Sequence, residues 1–246
     1  MSAVLLIAGS DSSGGAGLVR DVRTLTRLRT AALCAVTAVT AQSDAGVAAV
    51  HHVPPEVVRA QIEAALSTRR VGAIKIGMLG TRATVLAVAA SLPPRAAVPL
   101  VLDPVLASSS GGELLDREGQ VALREVLLPR ATLLTPNIPE AAALLGTASA
   151  ADEEVLLRQG ERLLALGPRA VLLKGGHARG SLATDLLLTA GEPVRRFPGA
   201  RIAGTRRGTG CALAAAIAAG LAAGLTLIEA CAQAKEHVTE LLRRGD

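Results

Sequence analysis

The chain has 246 residues and a formal net charge of +5, and half its residues are apolar although it holds one Phe and no Trp or Tyr. Such a chain can bury a core of Leu, Val, Ala and Ile, as one large domain or two small ones, and without aromatic platforms it is poorly suited to single-stranded nucleic acid. Three cysteines far apart, Cys34, Cys211 and Cys231, argue against a disulfide framework or a zinc site and for a cytosolic setting.

The first predicted strand is Val4 to Ala8. Its apolar approach has no basic leader and meets Gly9-Ser10-Asp11 at once, so it does not read as a signal peptide. The glycine-rich stretch Gly9 to Gly17 looks like a P-loop only superficially. Gly and Ala follow Gly14 where Lys and Ser/Thr are required, and no dinucleotide-binding glycine pattern is present. Asp21 follows one helical turn further on. A second strand, Ala32 to Val39, leads to Thr40-Ala41-Gln42-Ser43-Asp44, where Gln42 is either a reader of a heterocycle edge or a solvated loop amide. His51 and His52 sit in an alternating, strand-like run and are assigned, with His237, to surface or packing.

Further predicted strands are Ala73 to Ile76, Leu100 to Leu102, Leu133 to Leu134 and Ala170 to Leu173, separated by helical patterns at Pro55 to Leu66, Arg117 to Leu127 and Glu153 to Leu166. Asp185 to Thr189, turning at Gly191-Glu192-Pro193 into Val194 to Phe197, reads as a hairpin. The alternation predicts an α/β fold: a mostly parallel sheet with helices on both faces and a small antiparallel hairpin addition, in a single domain over residues 1–246. The charge-free segment Cys211 to Ile228 is alanine-rich, with Gly220 and Gly224 inside it, and reads as a buried helix rather than a membrane span.

Ligands of such sheets lie beyond the carboxyl ends of the strands. There the sequence places Gly77-Met78, Asp103-Pro104-Val105, Asn137 to Glu140 and Lys174-Gly175-Gly176-His177. Asp103, Asn137 and Glu140 are oxygen donors suited to Mg²⁺, while Asn137 and Glu140 are also spaced as a helix-capping pair. The run Arg206-Arg207-Gly208-Thr209-Gly210-Cys211 opens into the alanine-rich helix. The N–H groups and dipole of a helix start form an anion site, and a thiol placed there should have a lowered pKa. An inert cysteine at a glycine-punctuated helix start reads equally well.

Taken in order, Ala8 to Gly17, Thr40-Ala41-Gln42, Lys75 to Leu79, Leu102 to Val105, Thr135 to Ala141, Leu173 to His177 and Gly208 to Cys211 make the chain resemble the hydroxymethylpyrimidine/phosphomethylpyrimidine kinases of thiamine synthesis. These have the ribokinase-like fold, and the resemblance runs from residue 3 to about residue 240. It implies a cytoplasmic phosphotransferase using ATP and Mg²⁺ on a small pyrimidine, with no nucleic-acid or membrane partner, and a homodimer is the expected assembly. Gly9, Asp21, Gln42, Met78 and Val105 would surround the ring, with Asp21 on its hydroxymethyl or amino substituent. Gly208, Thr209 and Gly210 would form the anion hole beside a catalytic Cys211. Asn137, Lys174 and Asp185 would lie along ATP, and Asp103 and Glu140 would organise the metal. The chain departs from the family in carrying Thr205-Arg206-Arg207 where Asn-Thr-His is usual, Ser109 where Lys or Thr is common, and no longer tail after Asp246. The departures leave two other readings in play: a pyridoxal kinase of the same type, and a ligand-binding regulator that has lost transfer.

Overall fold

The computed structural model describes residues 2–43, 45–95, 97–108, 111–175, 183–202 and 207–244. Asp44, Ser109, Gly176, His177, Thr205, Arg206 and Asp246, singled out in the sequence, lie outside the described residues. The strands are β1 (Ala3–Asp11), β2 (Ala32–Ser43), β3 (Gly46–His52), β4 (Val71–Ile76), β5 (Leu100–Leu102), β6 (Leu133–Leu134), β7 (Ala170–Leu173), β8 (Asp185–Thr189) and β9 (Arg195–Phe197). They form one sheet in the order β3-β2-β1-β4-β5-β6-β7-β8-β9. Pairing from β2 through β7 is parallel, whereas β3, β8 and β9 join antiparallel.

The helices are α1 (Gly17–Arg27), α2 (Pro55–Thr68), α3 (Arg82–Ser91), α4 (Arg117–Ala122), α5 (Ile138–Leu145), α6 (Glu153–Leu164), α7 (Thr209–Ala222) and α8 (Leu227–Arg244). Period-two alternation along each strand divides the core. Leu5, Ile7, Ile74 and Leu102 join the layer of α2, α3, α5 and α6, while Val4, Leu6, Ala73 and Val101 join that of α1, α7 and α8. The same alternation sends the Lys75 side chain to the α1/α7 face, where Asp21 meets it. In place of aromatics, an unbroken run of buried small and branched residues, Ala212 to Ala219, lets α7 lie close on the sheet.

The parallel sheet and the β8–β9 hairpin agree with the sequence reading. Three local expectations are corrected. Strand β1 runs through Gly9 to Asp11, with its register against β2 shifted between Ala8 and Ser10, so the polar residues there are strand and not loop. Strand β2 likewise continues to Ser43 and pairs with β3, which places Gln42 on an antiparallel flap. An edge flap needs no second buried face, so Val39 stands half-exposed and the apolar run that marks buried strands is missing. The helical pattern ending at Leu127 changes at Leu123 into a π-type turn, followed by a 3₁₀ turn that holds Pro129. Among the described residues no helix is long and apolar enough to cross a membrane.

Candidate active site

The carboxyl ends of β5, β6 and β7 converge on the first turn of α7. Gly208 caps that helix in the left-handed region (φ 75°), and a Cβ there would lie 2.2 Å from the Gly15 carbonyl oxygen, so only glycine lets the helix start sit against the loop after β1. Beside the next glycine, Gly210, lie the Lys174 ammonium, 3.2 Å from the position a Cβ would take, and Asp103 Oδ2 at 4.0 Å. The helix start, a cation and a carboxylate therefore face one point.

Lys174 Nζ donates to Asp103 Oδ1 at 2.8 Å and stands 3.6 Å from Glu140 Oε2. Thr135 Oγ1 adds a bond to Asp103 Oδ1 at 3.2 Å. Burial alone would lower the Lys174 pKa, but Asp103 and Glu140 hold it above the ordinary lysine range. Burial opposes ionisation of Asp103, and Lys174 with Lys75 overcomes it and holds that carboxyl below its ordinary value. Glu140 is raised, by burial first. Asn137 and Glu140 do form a capping box: Asn137 Oδ1 accepts from the Glu140 N–H and Glu140 Oε2 from the Asn137 N–H, both at 2.8 Å. The cap uses one oxygen of Glu140 and the ammonium one oxygen of Asp103. Asp103 Oδ2 and Glu140 Oε1 make no hydrogen bond among the described residues, and a pair of carboxylate oxygens beside an anion hole fits a divalent cation that keeps its waters.

Cys211, on the first turn of α7, keeps part of its surface exposed. Burial nevertheless pushes the thiol up to about 11; Lys75 opposes the rise, and Asp21 and Asp103 add to it. The lowered pKa expected from the helix start is thus corrected, because desolvation of the thiolate outweighs the positive charge nearby. A Cβ on Gly17 would fall 2.3 Å from the Gly9 carbonyl oxygen, and one on Gly9 itself 2.8 Å from Met78 Sδ. Met78 in turn packs with Ala38, Leu114 and Val105 in a small apolar cluster. Of the expected ring-binding set, then, Gly9, Met78 and Val105 come together. Gln42 is held on the flap: its N–H donates to Ser12 Oγ at 2.9 Å, and its side-chain Oε1 accepts from Thr40 Oγ1 at 3.1 Å.

Two expected ligand contacts are corrected. Asp21 has no exposed surface; its Oδ2 accepts from Lys75 Nζ at 2.7 Å, and both side chains are sealed inside the molecule, so Asp21 does not present itself to a substituent of the ring. Asp185 accepts from the Gly175 N–H through Oδ1 and from Lys235 Nζ through Oδ2, each at 2.8 Å. With only 4% of its surface exposed it anchors the end of β7 and leaves no oxygen for a ribose. Arg207, where the family usually has His, is tied to the other end of the chain. It donates to Asp11 Oδ2 at 2.7 Å, to the Ser43 carbonyl at 2.7 Å and to Ser13 Oγ at 3.2 Å, joining the α7 approach, the glycine loop and the flap. A cleft of 320 Å³ on the outer face of α1, among Arg20, Arg23 and Arg27, contains none of the expected site residues. A cavity of 220 Å³ under the flap shares only Met78 with them. The sequence reading passed over Asp11 and Lys75 as site residues; Lys75 had a signal, as one of only three lysines and a charge inside a predicted strand.

Residues 11–246 match the phosphomethylpyrimidine kinase family. A hydroxymethylpyrimidine/phosphomethylpyrimidine kinase of Rhizobium meliloti (strain 1021) is 46% identical over 249 residues, spanning 100% of this chain and 92% of that protein. Among solved structures, a phosphomethylpyrimidine kinase from Clostridium difficile 630 superposes with a TM-score of 0.85 at 36% identity, covering 98% of this chain and 100% of that one. The pyridoxal kinase of Staphylococcus aureus in complex with ADP gives a TM-score of 0.89 at 32% identity, covering 98% and 88%.

Proposed function

The chain belongs to the phosphomethylpyrimidine kinase family, with its ribokinase-like fold, and from that premise we propose that it phosphorylates 4-amino-5-hydroxymethyl-2-methylpyrimidine with ATP and then its monophosphate, in thiamine synthesis. The observation that carries this reading is the convergence of Lys174, Asp103 and the Gly208 to Cys211 helix start on one point. Phosphoryl transfer asks the protein for position and charge more than for covalent chemistry. The N–H groups at the start of α7 and the Lys174 ammonium stabilise charge on the phosphoryl oxygens. Asp103 and Glu140 would hold Mg²⁺, which would supply further charge neutralisation for the phosphates of ATP. Asn137 orients Glu140 through the capping box and lies at the β7 end beside Lys174.

Cys211 is the base towards the hydroxymethyl group. Its raised proton affinity narrows the gap to an alkanol, which makes the thiolate a better base but a scarce one in the empty cleft. Proton transfer then comes late, as the bond to the leaving phosphate loosens. Gln42 offers its amide nitrogen to the ring edge while Thr40 fixes its oxygen. The protein works as a cytoplasmic enzyme and a homodimer, with small molecules as its partners.

A coupled ATP-turnover assay tests this reading. Turnover with the aminopyrimidine and its monophosphate is expected, with much less on pyridoxal. Preference for pyridoxal would favour the second reading, to which the superposition on pyridoxal kinase lends support. Absence of turnover with either ring would leave the regulator. Cys211→Ala should lower turnover by about 10²–10⁴-fold in a folded protein; near-normal turnover would remove Cys211 from the chemistry.

A further inference from the structure

The flap is fastened to the rest of the molecule at two neighbouring residues. Ser12 Oγ accepts from the Gln42 N–H and donates to the Gln42 carbonyl, both at 2.9 Å. At the next residue the Ser43 carbonyl accepts from the Arg207 guanidinium at 2.7 Å. Ser43 pairs with Gly46, so this bond falls at the turn between β2 and β3, and the register of the two strands shifts just before it, between Ala41 and Gln42. A two-stranded ribbon with an irregular tip is weakly held by its own ladder, so the bonds at its tip decide where it lies. Arg207 stands directly before Gly208, the cap of α7. One nitrogen of its guanidinium serves the Ser43 carbonyl and Ser13 Oγ, and the other donates to Asp11 Oδ2 at 2.7 Å. Asp11 is itself fixed: its Oδ1 accepts from the N–H and hydroxyl of Ser13 and its Oδ2 from the Ala16 N–H, each at 2.9 Å. One tine of the planar fork is thus seated on a rigid loop and the other on the flap, a span that an ammonium does not provide.

Under the flap, Val47 and Val50 of β3 pack against the cluster that holds Met78 and Val105. The flap therefore supplies one wall of the apolar cluster, and a single side chain ties that wall to the approach of the α7 helix start. We propose, on the reading that the pyrimidine lies against Met78 and Val105, that Arg207 is a latch: it holds the flap in place before the ring arrives and so sets the affinity for the ring. It is a positioning residue and does not act on the transferred group. A ring that enters between walls already in place spends none of its binding energy on placing them. Without the latch the flap is in position for only a fraction of the time, and the apparent affinity falls by that fraction. Saturating ring restores the flap, so the transfer step is touched less than recognition.

Arg207→Lys separates the latch from the ion pair, because it keeps a cation for Asp11 and gives up the fork. In the full-length chain without substrate, hydrogen exchange read by mass spectrometry should quicken about tenfold at the amides of β3, Gly46 to His52, with β5, β6 and β7 unchanged. In turnover, the KM for the aminopyrimidine should rise about tenfold, with smaller changes in the KM for ATP and in kcat. Unchanged exchange in β3 would overturn the proposal. So would exchange that quickens throughout the chain, the result of a purely structural role at Asp11, and so would a quickened flap with an unchanged KM for the ring. If Arg207→Lys does not fold, Arg207→Ala joined to Asp11→Asn, which leaves no buried carboxylate unpaired, is read in the same way; if that also fails to fold, Arg207 is structural and the proposal falls. Absence of turnover with either ring defeats the proposed reaction alone, since the exchange of β3 is measured without substrate.

Discussion

Two lysine–aspartate pairs sit at the carboxyl edge of the sheet, and they form the same bond in opposite surroundings. Lys75 and Asp21 meet at 2.7 Å with neither side chain exposed, whereas Lys174 and Asp103 meet at 2.8 Å with 13% and 3% of their side chains exposed. The sealed pair turns its ammonium wholly into the protein interior. The open pair leaves an oxygen of Asp103 and a face of Lys174 towards the helix start of α7, where an anion can be received. The alternation sends both lysines to the face of α1, α7 and α8, so a strand-end lysine there is a structural charge or a ligand-facing one according to how closely the helices above it pack.

Removing one ammonium from each pair should separate the two roles. The largest effect is expected for Lys75→Met, which leaves Asp21 buried without its partner and should lower unfolding stability by about 3–5 kcal/mol. Urea denaturation at neutral pH reads this directly, and a loss under about 1 kcal/mol would erase the distinction between the pairs. Lys174→Met should do the reverse. Stability changes less, because the cleft can hydrate Asp103, but turnover falls about 10²–10³-fold as a charge aimed at the transferred group is lost. Unchanged turnover would show that the open pair too is structural.

Both ammonium groups are held above the ordinary lysine range in the fold. A raised folded pKa on a base means that the native state binds the proton more tightly than the unfolded chain. That contribution is complete below about pH 10 and is lost as pH rises through the folded values. The unfolding midpoint should therefore hold up to about pH 10 and drop above it, less steeply in Lys75→Met. A parallel decline in both proteins would break the argument. The smallest effect is expected for Glu140→Gln. The amide oxygen still accepts from the Asn137 N–H, so the cap and the stability survive within about 0.5 kcal/mol. The Mg²⁺ concentration needed for half-maximal turnover should nevertheless rise severalfold, and a flat Mg²⁺ dependence would restrict Glu140 to capping.

Much of this arrangement could be read from the residues. Short apolar runs gave β5, β6 and β7 with their ends in place, because strands buried on both faces leave no doubt about their polarity. The Asn137–Glu140 cap was legible from spacing alone. What escaped were features set by tertiary packing. The extension of β2 has no apolar signature, since one face meets solvent, and the strand-like run around His51 and His52 gave no sign that β3 would pair with it as a flap. Enclosure of Asp21 depends on how α1 lies over β4, and the raised pKa of Cys211 on how much protein surrounds the sulfur; no local pattern encodes either. Arg207 was equally opaque, because its partners Asp11, Ser13 and Ser43 come from the other end of the chain.

That arginine has a consequence for how this sequence can change. Asp11 is 3% exposed and its Oδ2 is shared between the Ala16 N–H and the Arg207 guanidinium, so a neutral residue at 207 would strand a buried carboxylate, and a neutral residue at 11 would unfasten the approach to α7. Either substitution alone is penalised, while the two together remove both charges at once. Positions 11 and 207 are thus coupled across almost the whole chain, and the effects of substituting them should be non-additive in a double-mutant cycle.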